Sequence, residues 1–310
     1  MSKGTIWGLF LLLLAAGDCG GPPTGNNPGG DTPVVPTGGG PALVKIETRH
    51  LGQLTNTALN PLQPLGMTGT DLGSSFDLDN RLIFLFGDSR SIAPAFFNDD
   101  SVAWADPTVV PSGYASVPKL NWFLDGTGSG RFLSLLMPSV DLKGMNVPVE
   151  GLAIGTTTYV FASTGWSSDN HRHCCSALTH TEGSAFGSLV LDHVAESSKF
   201  INVSAIVDTD AVWIFGSGAY RQSPVYLAKV DPQRIGDRSA WQYYRGDLKG
   251  AHVFSSEEAD AAPVVAENCV GELSVRRHSE LGYLMAYNCS TPRGIHLRFA
   301  PKPTGPWSPL

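Results

Sequence analysis

The sequence of 310 residues shows almost no helical periodicity. Apolar residues recur in short runs rather than at spacings of three and four, which argues against a helical bundle. A Gly-rich phosphate loop and a serine nucleophile elbow are both missing, so nucleotide chemistry and serine-based hydrolysis have no motif to rest on. No basic block stands out, and 21 Lys and Arg against 28 Asp and Glu give a formal net charge of −7. A nucleic-acid partner therefore has no electrostatic support, and none is expected. No cofactor is expected either. The one His/Cys-rich run, His171-Arg172-His173-Cys174-Cys175, suggests a metal at first sight. A metal site needs about four well-placed ligands, which one loop rarely supplies, so no metal is expected.

What is present is turn chemistry and apolar strands, with 35 Gly, 22 Pro, seven Trp and eight Tyr. The aromatics suit sugar stacking, although they are equally core material. At the N-terminus, Lys3 precedes an apolar run from Ile6 to Ala16. That run is too short to span a bilayer and reads as the core of a secretory signal over residues 1–19. Cys19 stands where a bacterial lipoprotein carries its lipid, although Ala16 and Asp18 depart from that pattern. A membrane-anchored lipoprotein is expected, with simple secretion as the alternative. Residues 20–41 are Gly, Pro, Thr and Asn with little apolar content, a flexible tether ahead of one domain over 42–310.

Four further cysteines fall within that domain. Gly271 to Arg277 and Leu281 to Asn288 read as two strands joined at His278-Ser279-Glu280, which brings Cys269 and Cys289 nearly opposite each other. A disulfide between them suits an exported chain. Cys174 and Cys175 are either a bridge between neighbours or two thiols.

The runs Leu82 to Phe86, Thr158 to Ala162, Ala211 to Phe215 and Leu281 to Tyr287 lie about 55 to 75 residues apart. Arg131 to Met137 and Val225 to Val230 supply strands between them, and Leu43 to Thr48 offers a strand to close a ring. At roughly 55 residues per unit the expected fold is all-β, a five-bladed β-propeller, with a large β-sandwich as the alternative. Thr179 to Phe186 resembles a degenerate Asp-box, a propeller turn motif, lacking its central Asp.

Within GTDLGSSFDLDNRLIFLFGDS, residues 69–89, Asp79-Asn80 suits a type I′ hairpin turn. Facing residues then have numbers summing to 159, which sets Asp71 directly opposite Asp88. Two carboxylates so placed do not ionise independently, and one keeps its proton near neutral pH. One acid and one base is the division of labour in glycoside hydrolysis. The bland reading makes both aspartates caps of turn amides. Asp77 and Asp79 read as solvent-facing, and Asp99-Asp100 as a solvated loop.

Several of these phrases resemble one family. Thr70-Asp71-Leu72-Gly73, Leu82 to Ser89, Gly271-Glu272-Leu273-Ser274-Val275-Arg276 and Gly305-Pro306-Trp307-Ser308 are similar to the domain of unknown function 4185 family, which includes endo-D-arabinanases of glycoside hydrolase family 183. Ala219-Tyr220-Arg221, Val225-Tyr226-Leu227 and Trp241-Gln242-Tyr243-Tyr244 fit the same pattern. The likeness spans most of Leu43 to Leu310. It implies a five-bladed propeller, two catalytic aspartates in the first blade that fall on Asp71 and Asp88, and hydrolysis of α-D-arabinofuranosyl linkages in mycobacterial cell-wall polysaccharide, with another furanoside or pyranoside polymer as the alternative. The resemblance favours inversion, whereas the residues leave it open: two aspartates on one hairpin can splay to about 6.5–9.5 Å, as in an inverting pair, or to about 5–5.5 Å, as in a retaining one. Asn98-Asp99-Asp100 departs from the family pattern, which has an Arg-Asn pair there. Glu272, Arg221, Trp104 and Trp166 are candidate sugar-binding residues around the same mouth. A surface propeller that binds glycan without cleaving it is the other class of function.

Overall fold

A computed structural model of the protein describes residues 50–91, 99–106, 116–135 and 146–309. The signal segment, Cys19, the tether and the candidate strand at Leu43 to Thr48 lie outside the described residues. The described chain is almost entirely antiparallel sheet. A first meander holds β1 (Met67–Leu78), β2 (Arg81–Ser91), β3 (Asp99–Ala105) and β4 (Asn121–Trp122). A second holds β5 (Val147–Ile154), β6 (Thr157–Ser167), β7 (Arg172–Glu182) and β8 (Val190–Glu196). Next come β9 (Asn202–Val207), β10 (Val212–Ser217), β11 (Ser223–Val230), β12 (Gln242–Leu248) and β13 (Ala251–Ser255). The last unit is β14 (Pro263–His278), β15 (Gly282–Ser290) and β16 (Arg293–Ala300). Tyr226 and Val225 pair with the first half of β14, whose second half pairs with β15, so these last two units share one ladder.

The recurrent apolar runs each fall in the second strand of a unit. A second strand has a neighbour on both sides and is covered on both faces, so it reads as a continuous apolar run rather than an alternating one. Residues 82–86 are accordingly all buried. The units pack face to face. Phe76, Leu85, Val160 and Phe186 fill the space between the first two. Leu152, Phe161, Phe200 and Trp241 join the second to the third, and Phe215, Leu227, Val275 and Met285 join the third to the fourth. A disulfide ties Cys269 to Cys289 across β14 and β15, where Val270 is the register partner of Cys289.

The first strands of the units gather around a common axis. Ser74 Oγ donates to Glu150 Oε1 at 2.7 Å, and Ser204 Oγ donates to Glu150 Oε2 at 2.7 Å. Arg276 grips both carboxylate oxygens of Glu150 at 2.8 and 3.0 Å and donates to the Ser75 carbonyl at 2.9 Å. One ion pair thereby links β1, β5, β9 and β14. Glu150 is 1% exposed, so its charge depends on those partners. Neighbouring first strands also run in the same direction. Gly87, beside Asp71, abuts Val147, Ser74 meets Glu150, and Phe76 abuts Gly151, an order that ascends along both β1 and β5. The first two meanders therefore open at one end of the axis, where the β2–β3 and β6–β7 connections lie. Ser204 against Val275 and Asp208 against Arg277 likewise ascend along both β9 and β14, so the β10–β11 and β15–β16 connections share an end, and the Glu150 ion pair joins the two sets.

Two expectations are corrected. Of the candidate strand Arg131 to Met137, residues 131–135 make only isolated bridges, Leu124 to Phe132 and Ser101 to Ser134, and the last two residues lie outside the described residues. Asp99-Asp100 is not a solvated loop but the start of β3, and Asp100, 1% exposed, accepts a hydrogen bond from Asn146 Nδ2 at 2.8 Å.

Candidate active site

The hairpin turn forms as its sequence dictates. Asp79 and Asn80 take φ of 50° and 57°, the left-handed pair of a type I′ turn. Facing numbers sum to 159 from Leu78–Arg81 up to Gly73–Phe86. The ladder then slips: Asp71 faces Gly87, and Gly69 faces Arg90. Two compensating β-bulges, one on each strand, bracket the aspartates. Asp71 and Asp88 are thus neighbours offset by one residue, not the directly opposed pair that an unbroken register gives. The cause lies in another sheet. Val147 presses on Gly87 so closely that an added Cβ would lie 2.6 Å from its methyl. Asp88 then turns out of the ladder with φ of 46°.

That backbone is unusual for any residue with a Cβ, and such conformations concentrate where function holds them. Behind it, three hydroxyls brace the strands. Ser89 Oγ lies 2.8 Å from Thr70 Oγ1 and 2.7 Å from Ser101 Oγ, which ties β1, β2 and β3 together at this point. Ahead of it, Asp88 Oδ1 is buried with no hydrogen-bond partner among the described residues. Burial raises the Asp88 carboxyl above its ordinary value, and the charge of Asp71 pushes the same way against an opposing Arg90. The result is a carboxyl prone to hold a proton next to a second carboxyl.

Across the same end stands a second cluster. Tyr220 donates to Glu272 Oε1 at 2.5 Å, and Asn288 Nδ2 donates to the other oxygen. Burial, then the Glu272 charge, raises the Tyr220 phenol, which stays a donor. Arg221, at φ of 55°, donates its backbone N–H to the Val270 carbonyl and lays its guanidinium over the Tyr220 ring at 4.7 Å. Glu272 lies four residues before Arg276 on β14, as Asp71 lies four before Ser75 on β1. Both therefore precede, in their own strands, the level at which Arg276 donates to the Ser75 carbonyl.

Trp166 also belongs to this end, at the tip of the β6–β7 hairpin opposite His173. Trp104 does not. It pairs with Ile83, near the Asp79–Asn80 turn at the far end, and Arg81 covers its ring at 4.3 Å. Asp88 lies five positions further along β2 than that level. The vicinal cysteines are bridged to each other, and among the described residues no three His, Cys, Asp or Glu side chains are grouped to hold a metal. Tyr220 and Asn288 are the site residues that sequence reasoning passed over. Tyr220 sits inside a recognisable motif, whereas nothing in the sequence marks Asn288, which reaches Glu272 only because β14 and β15 pair.

Antiparallel sheets stacked about an axis place the fold among curled all-β architectures. The model of the family described as domain of unknown function DUF4185 matches residues 58–310, and the chain belongs to that family. A search of curated proteins finds no match. Among solved structures, a candidate hydrolase of Bacteroides ovatus ATCC 8483 is similar at 14% identity and a TM-score of 0.51, over 79% of this chain and 70% of its own. An exo-β-1,3-galactanase of Phanerochaete chrysosporium with β-1,3-galactotriose follows at 12% identity and a TM-score of 0.50, over 76% of this chain and 48% of its own. The α-L-arabinofuranosidase PaAbf62A of Podospora anserina has 11% identity and a TM-score of 0.47, over 79% and 68%. At these identities the likeness describes the fold.

Proposed function

We propose that the protein is a glycoside hydrolase that cleaves α-D-arabinan internally, with Asp88 as general acid and Asp71 as base, on a closed five-bladed propeller. The observation that carries this reading is Asp88 itself: a left-handed backbone, a buried unpartnered Oδ1, and a proton favoured by burial and by Asp71. Family membership and the phrases shared with endo-D-arabinanases support the substrate class.

Protonated Asp88 donates to the glycosidic oxygen as the bond to the anomeric carbon breaks. Asp71 takes a proton from the water that attacks that carbon from the opposite face, and the product anomer is inverted. Glu272, held by Tyr220 and Asn288, and Arg221 present an acceptor and a donor to sugar hydroxyls. Upstream, residues 1–19 direct export, Cys19 carries a lipid, and residues 20–41 let the domain reach past the membrane surface. Replacement of Cys19 by Ala, followed by fractionation, tests that part: the domain leaves the membrane fraction if the anchor is real and stays if it is not.

The substrate is tested by incubation with mycobacterial arabinogalactan beside xylan, β-1,3-galactan and arabinans of L configuration. Products are read by mass and by the anomeric proton signals formed first. Pentose oligomers from arabinogalactan alone, with the inverted anomer, are expected. Cleavage of another glycan instead would redirect the substrate, and binding without cleavage would make the protein a glycan-binding propeller.

A further inference from the structure

The β6–β7 hairpin carries features that the acid pair leaves unused. Val147, which abuts Gly87, is the register partner of Ser163 on β6. From that level β6 runs outward past the mouth, and Trp166 lies three residues on, about 10 Å further along the strand. Facing it on β7 are Cys175 opposite Thr164 and His173 opposite Trp166. The Trp166 and His173 rings stand 5.0 Å apart. Cys174 is exposed and Cys175 is 1% exposed, bridged to each other, and Ser197 donates to the Cys174 carbonyl at 2.8 Å. The bridge and the Ser197 bond pin the strand directly below the two rings.

The imidazole packed on Trp166 is itself uncharged at neutral pH. Burial pushes the His173 imidazole down to about 4, against a hydrogen bond to the Thr164 backbone, and its Nδ1 is buried without a partner. A neutral imidazole, a half-buried indole and a disulfide make a rigid, weakly polar face. Such a face suits the C–H side of a sugar, which stacks on aromatic rings and carries no charge to pair.

We propose that Trp166 and His173, braced by the Cys174–Cys175 bridge, form a stacking rim that binds a sugar unit one or two residues away from the bond cleaved at Asp71 and Asp88. This inference rests on the glycosidase reading and extends it to a subsite. The rim favours longer chains, since only these reach it.

The test uses the full chain carrying Asp88→Asn, so that binding is measured without turnover, and α-D-arabinofuranosyl oligomers of increasing length followed by calorimetry. Adding Trp166→Ala is expected to weaken the longer oligomers about tenfold, with a penalty that shrinks as the oligomer shortens. Cys174→Ser/Cys175→Ser gives the same length-dependent loss where circular dichroism shows the fold intact, and His173→Ala replaces it where the fold is lost. Oligomers that bind equally with and without Trp166 would overturn the rim while leaving the acid pair in place. Binding that depends on Trp166, with wild type cleaving nothing, would keep the rim and overturn the catalytic reading. No binding of any oligomer overturns both.

Discussion

Asp88 is where backbone, burial and charge meet. Its side chain titrates above the ordinary 3.8 because burial and Asp71 both disfavour the ionised form. A group whose folded value is raised binds its proton more tightly in the fold, so the stability it lends is full below about 3.8. That stability is lost as pH rises through the raised value. At neutral pH the unfolded chain has released that proton, so keeping the carboxyl buried in the fold opposes folding. Asp88→Asn removes that opposition, and Asn accepts left-handed φ as readily as Asp does. Thermal unfolding should therefore show Asp88→Asn melting higher than wild type at pH 7, with the gap closing on acidification below 3.8. A variant that melts lower at every pH would contradict the raised carboxyl. The hairpin was legible at this scale because Asp79-Asn80 and the apolar run after it set the turn and the register up to Gly73. The bulges were not, since their cause is Val147, some sixty residues away and on another sheet. Trp104 misled for a similar reason: a tryptophan in a strand announces a large ring, not the end of the blade at which it emerges.

Among the strands, the structure depends on how four of them meet. Glu150 is 1% exposed, and Arg276 with two serines satisfies it. Removing one partner leaves a buried charge, so Arg276→Met should cost about 3–5 kcal/mol in denaturant unfolding. Arg276→Met with Glu150→Leu removes both charges, and the double variant should recover much of that loss. A double variant as unstable as the sum of the singles would contradict the coupling. Gly151 makes a second test, since an added Cβ would lie 2.3 Å from a Phe76 ring carbon; Gly151→Ala should cost about 1–3 kcal/mol in the same measurement. Second strands were the most legible elements, because burial on both faces writes a continuous apolar run. First strands were not. They face the axis with Ser74, Glu150, Ser204 and Arg276, residue types that look like surface until four strands bring them together. The β14–β15 hairpin and the reach between Cys269 and Cys289 were legible because both strands and their turn are contiguous in sequence.

The molecule as a whole is a device for bringing distant strand ends to one mouth. Asp71 and Asp88 enter from the first unit, Trp166 from the second, Tyr220 and Arg221 from the third, and Glu272 and Asn288 from the fourth. Parallel first strands bring this about: β1 runs with β5 and β9 with β14, so the connections within each pair converge. Sequence spacing could suggest repeated units, but which side chains share a mouth follows only from strand direction. As acid and base of a glycan-cleaving site, Asp71 and Asp88 carry the proposed function. It is tested most directly by the release of reducing ends from mycobacterial arabinogalactan by wild type, Asp71→Asn and Asp88→Asn, with circular dichroism on each. Pentose oligomers are expected from wild type, with rates lower by about 10²–10⁴ in both variants and unchanged spectra. Folded variants that cleave as fast as wild type would contradict it.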